Sequence, residues 1–318
     1  MITQFILLAT GLILILLGAN WLVDGSSSIA RKSGLSEFII GLTIVGIGTS
    51  APEMVVSFLS SFQGKADMAI GNVIGSNIFN TLMILGVTAL ISPLTITKTN
   101  LRKDIPLNII VSIMLVLLGM NQAIFGIGEN ILSRIDGGIM LLIFALYMWY
   151  SFRNDSAPDE DSTPTKEYST TFSVVMIVAG LAALVGGGRL FVNSATAIAE
   201  HLHVSEKFIA ITVMAAGTSL PELATCAVAA FKGRGQLALG NILGSNISNI
   251  LLILGGASLI NPLSFGGLGN VDICAFMLAS VSILLCAFLF DKNKLDRKES
   301  IILLLMEGLY MWYLIANL

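Results

Sequence analysis

A glutamate recurs in the same local setting at two places in this chain, each time inside an apolar run. Thr49, Ser50, Ala51, Pro52 and Glu53 return 169 residues later as Thr218, Ser219, Leu220, Pro221 and Glu222. A second block follows at the same offset: Gly71, Asn72, Gly75, Ser76, Asn77 and Asn80 return as Gly240, Asn241, Gly244, Ser245, Asn246 and Asn249. A carboxylate in hydrocarbon is costly and tolerated only where it faces a bundle interior and a partner. The same costly choice at equivalent positions calls for a fold that brings two internal copies together around a cation.

Composition sets the surroundings. Charged residues are 12% of the 318-residue chain, where a soluble domain carries roughly 25%, and mean hydropathy is +0.88. Continuous apolar runs, rather than alternating ones, predict helical spans. About ten are legible: 2–22, 36–62, 67–91, 104–124, 132–152, 172–192, 205–231, 236–260, 271–290 and 300–317. No Lys or Arg precedes the first and no cleavage site is evident, so it reads as a span rather than a signal peptide. Cys226, Cys274 and Cys286 fall in spans without metal-ligand spacing, so neither disulfide nor zinc is expected. His201 and His203 fall in a predicted loop, which removes the usual base for intramembrane hydrolysis, so no enzyme is expected. A net charge of -3 points to no nucleic-acid partner.

Lys and Arg divide unevenly between alternate loops: thirteen on the side of Arg31, Lys98, Arg153, Lys232 and Lys294, and four (Lys65, Arg134, Arg189, Lys207) on the other. The richer side is expected to be cytoplasmic, which puts both termini outside a cell (inner) membrane.

The chain is read as residues 1–152, a first repeat of five spans, an acidic cytoplasmic linker over 153–170, and residues 171–318, a second repeat. An odd number of spans per half makes the second copy thread the bilayer in the opposite sense, the inverted arrangement of secondary transporters with a midplane site. The expected fold is therefore an all-α integral membrane protein of about ten helices in two inverted five-helix repeats, broken at the midplane. The linker reads as solvated and matches no calcium-loop spacing.

Spacing by four places Thr49, Glu53 and Ser57 on one helical face; Asn72, Ser76 and Asn80 share another. The second copy presents Thr218, Glu222 and Cys226, then Asn241, Ser245 and Asn249. Pro52 and Pro221 each remove a backbone donor, beside Gly48 and Gly217, so carbonyls from Gly46 to Thr49 and from Ala215 to Thr218 become potential ligands. An all-oxygen set suits hard cations such as calcium and sodium. Two ionised glutamates are neutralised by one calcium; without it, sodium or protons must take its place, which is a physical basis for exchange. Blander readings stand beside these. Gly71, Gly75, Gly240 and Gly244 read as close-packing positions. Asn77 and Asn246, off the stripe, are either interhelical hydrogen-bond partners or ligands. Glu307 reads as structural or an assembly contact, and Asp24, Glu37 and Asp104 are expected to reach water near span ends.

Through Gly48 to Glu53 with Gly71 to Asn77, and Gly217 to Glu222 with Gly240 to Asn246, the chain resembles the calcium/cation antiporter superfamily, in its prokaryotic sodium/calcium exchanger branch. The likeness covers essentially the whole chain. It implies sodium-driven, electrogenic calcium efflux by alternating access, with calcium and sodium as transported ions and no cofactor. Calcium ligands carried over by the resemblance are Glu53, Glu222 and the carbonyls of Thr49 and Thr218; sodium sites add Ser50, Ser76, Asn80, Ser219, Ser245 and the carbonyls of Gly46 and Ala215. Position 249 departs: many relatives place Asp where this chain has Asn249. That loss of a third carboxylate disfavours potassium dependence. The short linker lacks the regulatory domain of animal exchangers. A calcium (or manganese)/proton antiporter using the same glutamates is the alternative, with a channel and an intramembrane enzyme as weaker ones.

Overall fold

The protein was analysed as a computed structural model that describes residues 2–126, 128–155, 167–202, 215–265, 269–289 and 294–317. It is a multi-pass helical membrane protein. In chain order its helices are α1 (Ile2–Ser33), the bent pair α2 (Glu37–Thr49) and α3 (Ala51–Phe62), α4 (Ala66–Ile91), α5 (Ile105–Gly119) and α6 (Arg134–Arg153). After the linker come α7 (Thr170–His201), α8 (Ala215–Thr218), α9 (Leu220–Phe231), α10 (Gly235–Ile260), α11 (Asn270–Leu289) and α12 (Arg297–Ala316). Among the described residues seven helices are long and apolar enough to cross a membrane, or eight with the α2–α3 pair taken as one span. The expected run 104–124 is helical only to Gly119 in its long segment, and the expected run 205–231 falls partly outside the described residues.

Burial ranks the helices. In α10, 94% of the most apolar stretch is buried, against 67% in α4, 33% in α1 and α7, and 22% in α6 and α12. The two helices that carry the asparagine-rich blocks therefore form the centre. Each has a π-helical turn that begins at its last motif asparagine: Asn80–Ile84 in α4 and Asn249–Leu254 in α10. Such turns break the regular hydrogen-bond ladder and occur often at functional sites. Further π turns occupy Gly41–Val45 and Asn100–Asp104.

Small residues set how closely the helices approach. α2 lies main chain to main chain on α10: a Cβ added at Gly240 would collide with the carbonyl of Phe38, and one at Gly244 with the backbone of Leu42. The packing reading of these two glycines holds. A second close crossing joins the 32-residue helices α1 and α7, where a Cβ at Gly18 would stand 2.7 Å from the carbonyl of Gly180 and one at Gly180 would stand 2.8 Å from that of Gly18.

Short ladders close the ends. β1 (Leu94–Thr95) pairs antiparallel with β4 (Lys294–Leu295), and β2 (Ile131–Leu132) with β3 (Leu263–Ser264). The first gathers cation-rich loops at one end of the bundle, where the Gln236 amide also donates to the carbonyl of Thr95 and Ser36 donates its N–H and hydroxyl to Asp155, each at 2.7 Å. At the opposite end Arg134 donates to the carbonyl of Ile260.

Two expectations about water contact are corrected here. Glu37 is 7% exposed and pairs with Arg234 at 2.7 Å, because α2 starts against the buried N-terminus of α10. Asp104 is 6% exposed and accepts from Tyr147 at 3.1 Å and Asn100 at 3.3 Å. Asp24 is part-exposed and binds Lys232 at 2.7 Å. Asp272 accepts from Tyr310 at 2.9 Å, as Asp104 does from Tyr147.

The α1–α7 crossing generates a prediction. Gly18→Leu should force the pair apart at a typical overpacking cost of about 1–3 kcal/mol, seen as a lower Tm of the detergent-solubilised protein, whereas Gly186→Ala, with open space beside it among the described residues, should leave Tm unchanged.

Candidate cation site

The site forms where both broken helices meet the middle of α4 and α10. Ser50 separates α2 from α3 and Ser219 separates α8 from α9; both have near-zero ψ, at 11° and 8°. The chain bends by 48° between α2 and α3. Pro52 and Pro221 follow in the first turns of α3 and α9, where a missing N–H costs nothing. The glutamates, one residue further on, lie in the first turn of a helix at the centre of the bundle, 0% and 1% exposed.

Each glutamate is held by the other motif. The Ser50 hydroxyl donates to Glu222 Oε1 at 3.0 Å, and the Ser219 hydroxyl donates to Glu53 Oε1 at 3.1 Å. Ser76 reaches the same Glu53 oxygen at 3.4 Å. Each carboxyl group thus lies against the serine three positions before the other glutamate.

The asparagines make a second reciprocal exchange. Asn80 donates its amide to Asn246 Oδ1 at 3.2 Å, and Asn249 donates its amide to Asn77 Oδ1 at 3.0 Å. Asn77 in turn donates to the carbonyl of Asn246, and Asn246 to the hydroxyl of Thr81. With their NH2 groups spent this way, Asn80 and Asn249 keep their carbonyl oxygens free. Asn77 and Asn246, whose role spacing left open, are the residues that hold the other two in orientation. Their exact duplication was the only signal of this in the chain.

Five buried oxygens of the two motifs find no hydrogen-bond partner among the described residues: Glu53 Oε2, Glu222 Oε2, Asn80 Oδ1, Asn249 Oδ1 and Thr218 Oγ1. Buried polar atoms are ordinarily paired, and each orphan needs an explanation. Four of the five accept only, unless a carboxyl is protonated, and the fifth is a hydroxyl that can turn a lone pair inward. A set of this kind is satisfied by positive charge.

The remaining predicted residues are placed as follows. Thr49 is fully buried and donates to Asn241 Oδ1 at 3.1 Å; Asn241 donates to Cys226 Sγ at 3.1 Å. Asn72 donates to the Glu53 carbonyl at 3.2 Å and to Ser57 Oγ at 3.0 Å. Ser57 and Cys226 therefore anchor asparagines instead of joining the orphaned set. The carbonyl of Gly46 already receives the Ser245 hydroxyl at 3.2 Å and the Ser50 N–H at 3.3 Å. Ala215 opens the short helix α8 that carries Thr218. No group of three His, Cys, Asp or Glu side chains gathers anywhere among the described residues, so the carboxylate pair is supplemented by amides and hydroxyls alone.

Known proteins are similar to this chain over its length. The family model described as "Sodium/calcium exchanger protein" matches residues 3–153 and 172–316. The chain is 36% identical to the putative antiporter CaxA of Alkalimonas amylolytica, over 100% of both chains. It is 32% identical to the sodium/calcium exchanger MaX1 of Methanosarcina acetivorans, over 95% of each. A solved structure of the sodium-calcium exchanger NCX_Mj superposes with a TM-score of 0.84 at 36% identity, covering 100% of this chain and 99% of that one. The chain belongs to the sodium/calcium exchanger family of cation antiporters.

Proposed function

We propose that this protein exchanges calcium for sodium across a cell membrane, extruding calcium electrogenically as sodium moves in. The observation that supports this reading best is the set of five unpartnered buried oxygens contributed by both motifs. Hard oxygen donors of this type suit calcium and sodium, and copper or zinc would call for His or Cys. In this reading Glu53 and Glu222 bind calcium with the carbonyls of Thr49 and Thr218. Sodium uses Ser50, Ser219, Ser76, Ser245, Asn80 and Asn249 with the carbonyls of Gly46 and Ala215; the Gly46 carbonyl serves once Ser245 turns away. Two buried, ionised carboxylates left without a counter-charge cost several kcal/mol each, so calcium can leave only as another cation arrives. That obligation makes the protein an exchanger rather than a channel.

We further propose ten spans in two inverted repeats, 1–152 and 171–318, joined by the acidic linker 153–170. The cation-rich end is cytoplasmic and both termini lie outside. The pair α1 and α7 rocks against a core built of α2–α4 and α8–α10, exposing the site to each side in turn.

An imposed sodium gradient should drive calcium uptake into reconstituted vesicles, accelerated when the membrane potential is clamped to favour net charge movement. A pH gradient that drives calcium where sodium fails would move the assignment to a proton antiporter, and downhill calcium flux with neither would mean a channel. Glu53→Gln or Glu222→Gln should abolish exchange while the variant stays folded by size-exclusion chromatography. Asn246→Ala, which releases the amide of Asn80, should weaken the apparent cation affinity roughly 10–100-fold, as loss of a group that orients a ligand does.

A further inference from the structure

Glu307 lies in α12, outside both motifs, and the exchange reading gives it no task. It is 1% exposed, and its Oε2 meets no hydrogen-bond partner among the described residues. It forms neither of the two ion pairs found there, Lys232 with Asp24 and Arg234 with Glu37. An assembly contact would need the side chain at the surface, and no described residue donates a hydrogen bond to Oε2 that would fix it as a structural carboxylate.

Its surroundings explain the charge. Glu307 and Tyr310 of α12 line a cavity of about 290 Å³ together with Gly71, Asn72, Gly75 and Ser76 of α4. No described atom lies within 4 Å of a Cβ built at Gly71 or Gly75, whereas their counterparts Gly240 and Gly244 are sealed by α2. The far wall of the cavity touches the central site: Ser76 donates to Glu53 Oε1, and Asn72 to the Glu53 carbonyl. Gly71 and Gly75 precede the α4 midpoint and Tyr310 follows that of α12, so the cavity lies toward the end of the bundle that holds the termini. A lone carboxylate in a space that size, one hydrogen bond from the central pair, is placed to attract a hard cation.

We propose that Glu307 is a second cation-binding position, a staging carboxylate that holds calcium or sodium in this cavity before it reaches Glu53 and Glu222. The inference rests on the exchange reading and adds a residue to it. A negative group along a narrow approach raises the local cation concentration and the rate of association by a factor of 10 or more.

The test is sodium-driven calcium flux in vesicles that hold the protein in one orientation, with the apparent KM of each cation measured from each side. Glu307→Gln keeps size and hydrogen-bonding capacity but removes charge. It should raise KM for calcium, sodium or both by roughly tenfold from the termini side, leave the opposite side within twofold, and be largely reversed in Glu307→Asp. The cation whose KM moves is the one staged there. An unchanged KM for both cations, or an equal change from both sides, would overturn the proposal. Should the Gln variant fail to fold, Glu307→Cys serves instead. Sulfonatoethyl methanethiosulfonate, which restores a negative charge, should lower its termini-side KM where the neutral methyl reagent does not, with wild type as the control for Cys226, Cys274 and Cys286; equal effects of the two reagents would overturn it. If wild type itself carries no sodium-driven calcium, the exchange reading fails, and that result is separate from a wild type that exchanges beside a silent Glu307→Gln.

Discussion

Everything else in the molecule is arranged around two carboxyl groups kept out of water and tied to one another's motifs. Each accepts a hydrogen bond from the serine of the other motif, and Glu53 accepts a further one from Ser76. Ser50 serves Glu222 and Ser219 serves Glu53, while Asn77 and Asn246 exchange amide hydrogen bonds with Asn249 and Asn80. The cross-connection has an energetic logic. A hydroxyl or amide donor offsets part of the desolvation of one oxygen of each group, yet leaves the second oxygen bare. The site is held in geometry while remaining short of charge, which is the state an exchanger needs between ions.

The centre also explains the distribution of small and polar residues over the chain. α10 can be almost wholly enclosed because glycines let α2 rest directly on its backbone. Serines, threonines and asparagines dominate the buried polar set because they can hydrogen-bond between helices without adding charge. Charged groups at the ends are handled differently. Glu37 with Arg234, and Asp104 with Tyr147 and Asn100, are enclosed but satisfied, so they fix the ends of spans instead of binding ions.

The residues of the candidate site were legible because duplication marks them twice: a costly glutamate repeated at one offset needs no structure to be noticed. What lay beyond reach has physical reasons. Spacing by four sorts residues onto faces of an ideal helix, and π turns at Asn80 and Asn249 shift that phase at the very residues concerned. Asn77 and Asn246 act through partners about 170 positions away, and no local pattern reports such a contact. Glu37 and Asp104 looked solvated because they lie near the ends of hydrophobic runs, whereas their burial depends on neighbours from other segments. Glu307 has Phe144 as its counterpart, so the repeat was silent about it.

The backbone-to-backbone seam between α1 and α7 carries one more consequence. Where Gly18 and Gly180 press together, main chain meets main chain with no side chain between, so in the proposed rocking motion the two helices would move as a single lever. A stiff lever that swings away from the core at one tip must swing toward it at the other. A leak with both mouths agape would then need the seam itself to tear, so under that reading the membrane's tightness against ions would rest on hydrogen atoms, at Gly11, Gly18, Gly180 and Gly187, where any larger group would collide.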